Sequence, residues 1–232
     1  MKPKIMAVSD NSIMIEYPAE ISEEINSRIR YITRQISEKM AGRIIDIIPA
    51  YHTIAVGYDC LENDYRTLIR DIEEIVAGSS VDEDEERDIV EIPVCYEEPY
   101  GLDIEEVCEI HDISREDLVR RHTAPEYLVY MVGFTPGFPY LGGMDESIAT
   151  PRKKEPRSKI PAGSVGIAGS QTGVYPIESP GGWQIIGRTP LKLFDPYREN
   201  PVMIKSGQYI RYRSISAEEY EKLERNGEVD HG

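Results

Sequence analysis

The sequence predicts two domains of different class: a small α+β domain over residues 1–85 and a mainly-β domain over residues 86–232. Three observations predict this division. Strand and helix patterns alternate over residues 12–77. An acidic run then follows at residues 82–86. From Tyr127 onward, short apolar runs are bounded by Gly or Pro, which is typical of a β-barrel or β-sandwich.

The first domain has the predicted order strand, helix, strand, strand, helix, which suits a small α+β sandwich. Its strands are expected at residues 12–16, 43–48 and 52–56, the last two separated by Pro49. The first helix is amphipathic and should end at Gly42, because its apolar residues recur at steps of three and four: Ile21, Ile25, Ile29, Ile32, Ile36 and Met40. The second helix precedes Gly78 and has one apolar face, composed of Leu61, Leu68, Ile72, Ile75 and Val76.

The segment over residues 78–86 predicts the domain boundary. Its acidic residues could form a recognition tail, but a solvated linker is the stronger interpretation. After a strand at residues 89–94, two short helices are expected, one with an apolar face between Ile104 and Ile110 and one that Ser114 opens. Two helices joined by a short turn could form a helix-turn-helix, but the acidic surroundings argue against DNA binding.

The remaining predicted elements belong to the barrel or sandwich. A short helix is expected over residues 218–225 at the end of the chain. The strands are expected at residues 127–132, 164–168, 183–186, 192–194, 202–204 and 209–212.

Charge and composition exclude several functions. The chain has a net charge of −16, which argues against nucleic acid and against an anionic membrane surface as partners. No apolar stretch approaches the ~20 residues of a membrane span. The three cysteines form no CxxC pair and the four histidines are scattered, so we expect no disulfide framework, no metal site and a cytoplasmic location.

A basic segment, residues 151–159, stands out in this acidic chain. It contains one acidic residue, Glu155, so its net charge is +4. Its five basic residues are Arg152, Lys153, Lys154, Arg157 and Lys159. A solvated loop is one interpretation. The other is an anion site, because the planar guanidinium of arginine binds oxyanions through paired hydrogen bonds.

Two loops rich in Gly, Pro and aromatic residues are the second candidate feature. They span residues 133–143 and 179–183. Their turn formers do not fit inside regular ladders, and their large apolar side chains could wall a ligand pocket. Rigid barrel corners with aromatic plugs are the alternative interpretation. The glycine-rich run at 163–169 is better explained by a hairpin than by a phosphate loop.

These motifs together resemble one family. The residues that carry the resemblance are His122, Tyr127, the run Gly133–Leu141, Pro151 and Arg152, the run Pro161–Pro176 and the run Ser179–Thr189. They are similar to the B-subunit family of 5-oxoprolinase, which includes the sporulation-kinase inhibitor KipI and allophanate hydrolase subunit 1. The resemblance covers essentially the whole chain, although the N-terminal region matches only in its pattern.

The resemblance implies an α+β N-terminal domain followed by a mainly-β cyclophilin-like barrel, without prolyl isomerase activity. It also implies partners, namely the A subunit of the enzyme and a homologous C subunit with a second such barrel. The activity that the resemblance implies is the opening of a small lactam, 5-oxo-L-proline, to L-glutamate with ATP hydrolysis by the assembled complex. We expect ATP in the assembled complex, without assigning it to this chain.

The site residues follow from this chemistry. A lactam amide is a poor electrophile, and phosphorylating its oxygen requires cationic stabilisation and positioning. We therefore expect Arg152 and Arg157 to bind anionic groups. His122 is either an acid–base group at the rim of the cleft or a hydrogen-bonded structural histidine. Neutral contacts and loop shape are assigned to the remaining candidates: hydrogen bonds from Gln171, Thr172 and Tyr175, an apolar wall from Trp183, and backbone shape from Gly137, Gly163, Gly181 and Gly182.

Two other functions remain open within the same resemblance. One is a regulator that binds a histidine kinase and blocks phosphotransfer. The other is a carboxyltransferase component related to urea carboxylase, which would need a biotin-bearing partner, because this chain has no Met-Lys-Met attachment motif.

Overall fold

The computed structural model describes residues 2–20, 22–79 and 87–229. The chain divides into two compact units, Met1–Glu86 and Arg87–Gly232. The predicted linker and boundary fall largely on residues 80–86, which lie outside the described residues, as does Ile21 at the expected start of the first helix.

In residues 2–20 and 22–79, the first unit is an antiparallel sheet with two helices. Its elements are β1 (Lys4–Ser9), β2 (Ser12–Glu16), α1 (Glu23–Lys39), β3 (Ile44–Pro49), β4 (Thr53–Tyr58) and α2 (Tyr65–Ala77). The strand order is β1-β2-β4-β3. Isoleucines of α1 pack with those of β2 and β4 in one buried cluster. The isoleucine periodicity therefore predicted the buried face of α1.

Two local expectations for this unit were wrong. β1 was not predicted, because its residues Ile5–Val8 form a short apolar run without the alternation typical of a strand; five of its six residues are exposed. Leu61 was placed on the buried face of the second helix, but it is 93% exposed and lies before the helix. The helix begins at Tyr65, because the Asp64 side chain accepts a hydrogen bond from the Thr67 N–H and caps it.

Over residues 87–229, the second unit is a seven-stranded mixed sheet that curls into a nearly closed barrel. The strands are β5 (Ile89–Cys95), β6 (Glu126–Val132), β7 (Pro139–Gly142), β9 (Ser164–Ala168), β10 (Gln171–Val174), β12 (Gln184–Arg188) and β13 (Tyr209–Ile215), with β8 (Arg157–Ile160) and β11 (Ser179–Gly181) forming a separate pair. The order in the sheet is β10-β9-β12-β5-β13-β6-β7, and its two outermost strands lie beside each other. Among the described strands, β5 and β13 alone pair in parallel.

The described part of the second unit has three helices beside the barrel: α3 (Ile104–His111), α4 (Arg115–Thr123) and α5 (Ala217–Val229). A short 3₁₀ turn spans Glu146–Ile148. In the described part of the chain, no helix combines the length and apolarity that a membrane crossing requires.

The predicted strands at 192–194 and 202–204 do not form as strands. They contribute a single isolated bridge between Phe194 and Val202. A loop closes between them, with the Asp195 N–H donating to the Pro201 carbonyl at 2.8 Å and the Met203 N–H donating to the Leu193 carbonyl at 2.9 Å. The apolar residues in these runs are therefore held by a compact turn rather than by a ladder.

Candidate ligand-binding site

The basic segment and the 179–183 loop meet on one surface of the second unit. The Lys153 N–H donates to the Gly182 carbonyl at 2.7 Å. A few residues further on, β8 pairs with β11, with Arg157 opposite Gly181. The two features that the sequence singled out separately therefore form a single surface.

Aromatic side chains lie beneath this surface. The Trp183 side chain is buried, and its ring meets those of Phe138 and Tyr175 edge to face, with centroids 5.6 and 6.2 Å apart. The exposed Arg152 places its guanidinium carbon 6.0 Å from the centre of the Trp183 ring. This is the outer limit of a cation–π contact, so the exposed Arg152 lies at the edge of the aromatic cluster.

Most of the positive charge of the basic segment is neutralised locally. Arg157 grips the Asp103 carboxylate with both terminal nitrogens, at 2.8 and 2.5 Å. Lys153 contacts the same carboxylate at 3.0 Å and Glu106 at 2.6 Å. A separate surface pair joins Lys159 to Glu178 at 2.9 Å.

Arg157 was expected to bind an anionic ligand, but both terminal nitrogens of its guanidinium already donate to the Asp103 carboxylate. The sequence could not indicate this, because Asp103 lies 54 positions away along the chain. Within the described ranges, Arg152 and Lys154 are the cations of the segment that pair with no carboxylate. The positive charge that the basic segment can offer to a ligand is therefore much smaller than the +4 counted from its sequence.

An open groove of about 430 Å³ runs beside Arg152. Its lining is mixed in charge and comprises Glu106, Ile110, Pro151, Arg152, Lys153, Lys154, Glu155 and Gln184. The Gln184 amide donates to the Pro151 carbonyl at 3.3 Å and to Glu106 at 3.4 Å. The groove is thus bordered by a fixed backbone rather than by a free loop.

Tyr175 and Gly181 are in close contact below the surface. Tyr175 is buried, and that burial raises the pKa of its hydroxyl to about 12, so it remains protonated at neutral pH. A Cβ on Gly181 would come within 2.5 Å of the Tyr175 hydroxyl oxygen, whereas one on Gly182 would meet nothing closer than 3.5 Å. Of the two glycines, Gly181 is the one that this packing requires.

Two other predicted loop-shaping glycines adopt the left-handed backbone conformation. Gly163 has φ +80°, and a Cβ there would approach the Thr189 carbonyl oxygen to 2.3 Å. Gly137 has φ +84° and lies against Phe194 and Pro176. Both positions need a residue without a side chain.

His122 lies in the interior of the unit, not at the rim of a cleft. It is 0% exposed, its Nδ1 is 2.8 Å from the Tyr96 hydroxyl, and its Nε2 is 2.8 Å from the Thr172 hydroxyl. The Thr172 hydroxyl donates to the Gly166 carbonyl at 3.1 Å, so it accepts from His122 Nε2–H. This network assigns the tautomer in which Nδ1 accepts from Tyr96.

The environment of His122 keeps its ring neutral. Burial lowers the pKa of His122 to about 3, and the Tyr212 ring stacks on it with centroids 4.7 Å apart. Thr172 is buried with it, at 1% exposure, whereas Gln171 at the start of β10 is half-buried. Of the predicted site residues, the structure therefore brings together Arg152, Arg157, Tyr175, Trp183, Gly181 and Gly182. His122 and Thr172 belong instead to a buried hydrogen-bond network.

Three residues of this region were not expected from the sequence: Asp103, Glu106 and Gln184. An Asp before an amphipathic helix is a common capping signal, so nothing marked Asp103 as a partner of the basic segment. Among residues 2–20, 22–79 and 87–229, no group of three or more His, Cys, Asp or Glu side chains is arranged to hold a metal ion.

Comparison with known proteins identifies the family. The model for "Carboxyltransferase domain, subdomain C and D" matches residues 3–204. The B subunit of 5-oxoprolinase from Bacillus subtilis (strain 168) is 44% identical over 227 residues, covering 94% of this chain and 95% of the relative. This finding confirms the resemblance inferred from the motifs.

Solved structures agree with this assignment. The crystal structure of TTHA0988 is 33% identical, with a TM-score of 0.78, covering 89% of this chain and 40% of that chain. The urea amidolyase of K. lactis is 19% identical with a TM-score of 0.74, covering 97% of this chain and 15% of that one, which is a likeness of fold alone. This chain therefore spans less than half the length of either solved protein. With the family model matching residues 3–204 and a relative 44% identical along nearly its whole length, the chain belongs to the carboxyltransferase C and D subdomain family, together with the proteins named as the B subunit of 5-oxoprolinase.

Proposed function

We propose that this chain is the B subunit of an ATP-dependent 5-oxoprolinase, which opens 5-oxo-L-proline to L-glutamate together with the A and C subunits. The observation that carries the proposal is the match with the corresponding Bacillus subtilis protein, 44% identical over 94% of this chain. We expect the chain to be inactive alone. In fold, we propose that the second unit is a cyclophilin-like barrel, which its nearly closed mixed sheet supports.

The surface around Arg152 is the proposed substrate site. The guanidinium of the exposed Arg152 would bind the carboxylate of the lactam, because two parallel N–H donors match two carboxylate oxygens. The lactam ring would pack on the apolar surface that Trp183 and Tyr175 support. Gln171 is proposed to add a neutral hydrogen bond from the start of β10. His122 and Thr172 are proposed to stabilise the fold of the second unit without contacting the substrate.

ATP is proposed to bind elsewhere in the complex. A triphosphate needs several unpaired donors, and in the described ranges Arg152 and Lys154 are the cations of the basic segment without a carboxylate partner. The glycine-rich run forms β9 and the start of the turn to β10. Gly163, directly before β9, lies against the Thr189 carbonyl instead of opening toward a ligand. These residues do not fit a triphosphate site.

Reconstitution tests the proposal. The chain, co-expressed with candidate A and C subunits, is expected to support ATP-dependent release of glutamate from 5-oxoproline, and leaving this chain out should abolish it. Arg152→Ala is expected to raise KM for 5-oxoproline about tenfold or more, the usual effect of losing a charged hydrogen bond. Lys159→Ala removes one positive charge from the same segment and should change KM less than twofold.

Two results would contradict the proposal. No glutamate release by the complete complex, together with tight binding to an autophosphorylating kinase domain, would favour the histidine-kinase regulator, which until then stays a prediction. An unchanged KM in Arg152→Ala would remove Arg152 from the substrate site.

A carboxyltransferase component is the second candidate, favoured by the name of the matching family model. Such a component would transfer a carboxyl group between carboxybiotin on a partner and an acceptor. Biotin-dependent carboxyl transfer by the reconstituted complex, without glutamate release from 5-oxoproline, would favour this second candidate.

A further inference from the structure

The residue before helix α3 does not cap it, unlike the residues before α1, α2 and α4. Ser22, Asp64 and Ser114 cap α1, α2 and α4 by accepting a hydrogen bond from a backbone N–H three residues ahead. Asp103 occupies the same position before α3, but its side chain makes no capping hydrogen bond. Asp is among the best capping residues, so a carboxylate turned away from its own helix suggests another use.

The Asp103 carboxylate instead joins three parts of the unit. It is buried, at 3% side-chain exposure, and it accepts two hydrogen bonds from Arg157 and one from Lys153. It also accepts from the Ile185 N–H at 2.7 Å, while the Asp103 N–H donates to the Ile185 carbonyl at 2.7 Å. The start of α3, the β12 strand and the basic segment are therefore held at one buried carboxylate.

Arg152 lies within the stretch that these bonds fix. Directly before it, the Pro151 carbonyl accepts from Gln184 at 3.3 Å. Directly after it, Lys153 is bonded through its backbone to Gly182 and through its side chain to Asp103. The backbone of Arg152 is thus restrained on both sides, and its guanidinium lies over Trp183, the residue after Gly182.

We propose that Asp103 is a positioning residue, which binds Arg157 and Lys153 so that Arg152 is presented over Trp183 as the ligand-binding guanidinium. The inference rests on the proposed substrate site and deepens it. Asp103 touches no ligand itself. By engaging Arg157 and Lys153, it leaves Arg152 and Lys154 as the cations of the segment without a carboxylate partner in the described ranges, which suits a carboxylate better than a polyphosphate.

A double-mutant cycle in the reconstituted complex tests the inference. Asp103→Asn keeps the shape of the side chain and removes its charge, and it is expected to raise KM for 5-oxoproline about fivefold or more with kcat within twofold. In the Arg152→Ala background, the same change should alter KM less than twofold, because the group that Asp103 positions is gone. If Asp103→Asn raises KM by the same factor in the wild type and in Arg152→Ala, Asp103 has only a structural role and the proposal is overturned.

Trp183 provides a second measurement that does not depend on activity. It is the only tryptophan, so the emission of the free chain reports the cation beside its ring. Arg152→Ala and Asp103→Asn are expected to shift this emission alike, whereas Glu178→Gln, which removes a carboxylate from the surface pair with Lys159, should leave it unchanged. A shift in Arg152→Ala without one in Asp103→Asn would overturn the proposal.

The two measurements separate this inference from the proposed function. If the complex releases no glutamate, the proposed function fails, and the Trp183 emission still decides whether Asp103 positions Arg152. If Asp103→Asn does not fold, Arg157→Lys replaces it, because lysine keeps the charge but cannot bind both carboxylate oxygens in parallel. It is expected to shift the emission in the same direction, and an unchanged emission would count against the proposal.

Discussion

The second unit contains two buried polar networks that differ in charge. The network around His122 is neutral and closed, because both ring nitrogens meet hydroxyl groups and aromatic rings surround them. The network around Asp103 is charged and reaches the surface, since the side chains of Lys153 and Arg157 remain 22% and 27% exposed. A neutral, closed network can stabilise a fold, whereas a charged network that reaches solvent can also fix the geometry of a surface.

The pKa values of His122 and Asp103 reflect whether each buried group has a charged partner. Burial alone lowers the pKa of His122 to about 3, because no charged partner offsets the loss of water. Burial would raise the pKa of Asp103, but hydrogen bonds from Arg157, the Ile185 N–H and Lys153 outweigh it and hold that pKa below its usual range. At neutral pH the first network is therefore uncharged and the second contains an ionised carboxylate.

The largest expected effect tests the structural role of His122. His122→Ala removes a fully buried ring and leaves the Tyr96 hydroxyl without its partner, so the free energy of unfolding of the second unit should fall by about 4 kcal/mol. His111→Ala is the matched control, because His111 is half-buried and bonds Thr150 at 3.0 Å; we expect a loss of about 1 kcal/mol. Urea unfolding, monitored by Trp183 fluorescence, measures the loss of stability in both variants. Equal losses would contradict a special structural role for His122.

The acid side of the stability profile provides a second test. Because the pKa of His122 is about 3 when folded and about 6.5 when unfolded, protonation of the unfolded chain should lower stability as pH falls below 6.5, by about 1.4 kcal/mol per pH unit. His122→Gln cannot titrate, so its stability should fall less steeply than that of the wild type between about pH 6 and pH 4.5. Parallel profiles for the two proteins would show that His122 is not held neutral.

A smaller effect on stability is expected at Gly181, the last residue of β11. Gly181→Ala would place a Cβ 2.5 Å from the Tyr175 hydroxyl, and the forced movement should lower the free energy of unfolding by about 2 kcal/mol. Gly182→Ala has no neighbour closer than 3.5 Å and should change it by less than about 0.5 kcal/mol. Similar losses in both variants would mean that the two glycines are needed for backbone freedom rather than for space.

The smallest effect sharpens the distinction between buried and exposed charges. Glu178→Gln breaks an ion pair with Lys159 in which both side chains are more than half exposed. Its loss should lower the free energy of unfolding by at most about 0.5 kcal/mol, because water and salt screen such pairs. Thermal unfolding at low and high salt measures it, and a loss as large as that in Asp103→Asn would argue that burial does not set the contribution of these carboxylates.

Local pattern predicted much of the fold. The isoleucine spacing of α1, the capping Ser114 and the Gly-bounded strands are short-range signals, and each corresponds to an observed element. β1 was not predicted because its residues Ile5–Val8 show no apolar alternation. The runs 192–194 and 202–204 were wrongly predicted as strands because apolar residues in a compact turn resemble those in a ladder.

The candidate site was less predictable, because its decisive contacts are long-range. Arg152, Trp183 and the glycines were recognisable from their residue types. The ion pair between Arg157 and Asp103 was not, since it depends on how α3 docks beside β12. Net charge counted along the sequence therefore overestimated the cations available to a ligand.

The two networks are expected to have separate roles: the Asp103 network sets the geometry of the site, and the His122 network stabilises the fold. The most direct test measures KM for 5-oxoproline in the reconstituted complex and the free energy of unfolding, for Asp103→Asn and His122→Gln side by side. We predict that Asp103→Asn raises KM about fivefold or more, while His122→Gln loses more stability with KM within twofold. If both variants change KM and stability in the same proportion, the two networks do not have separate roles.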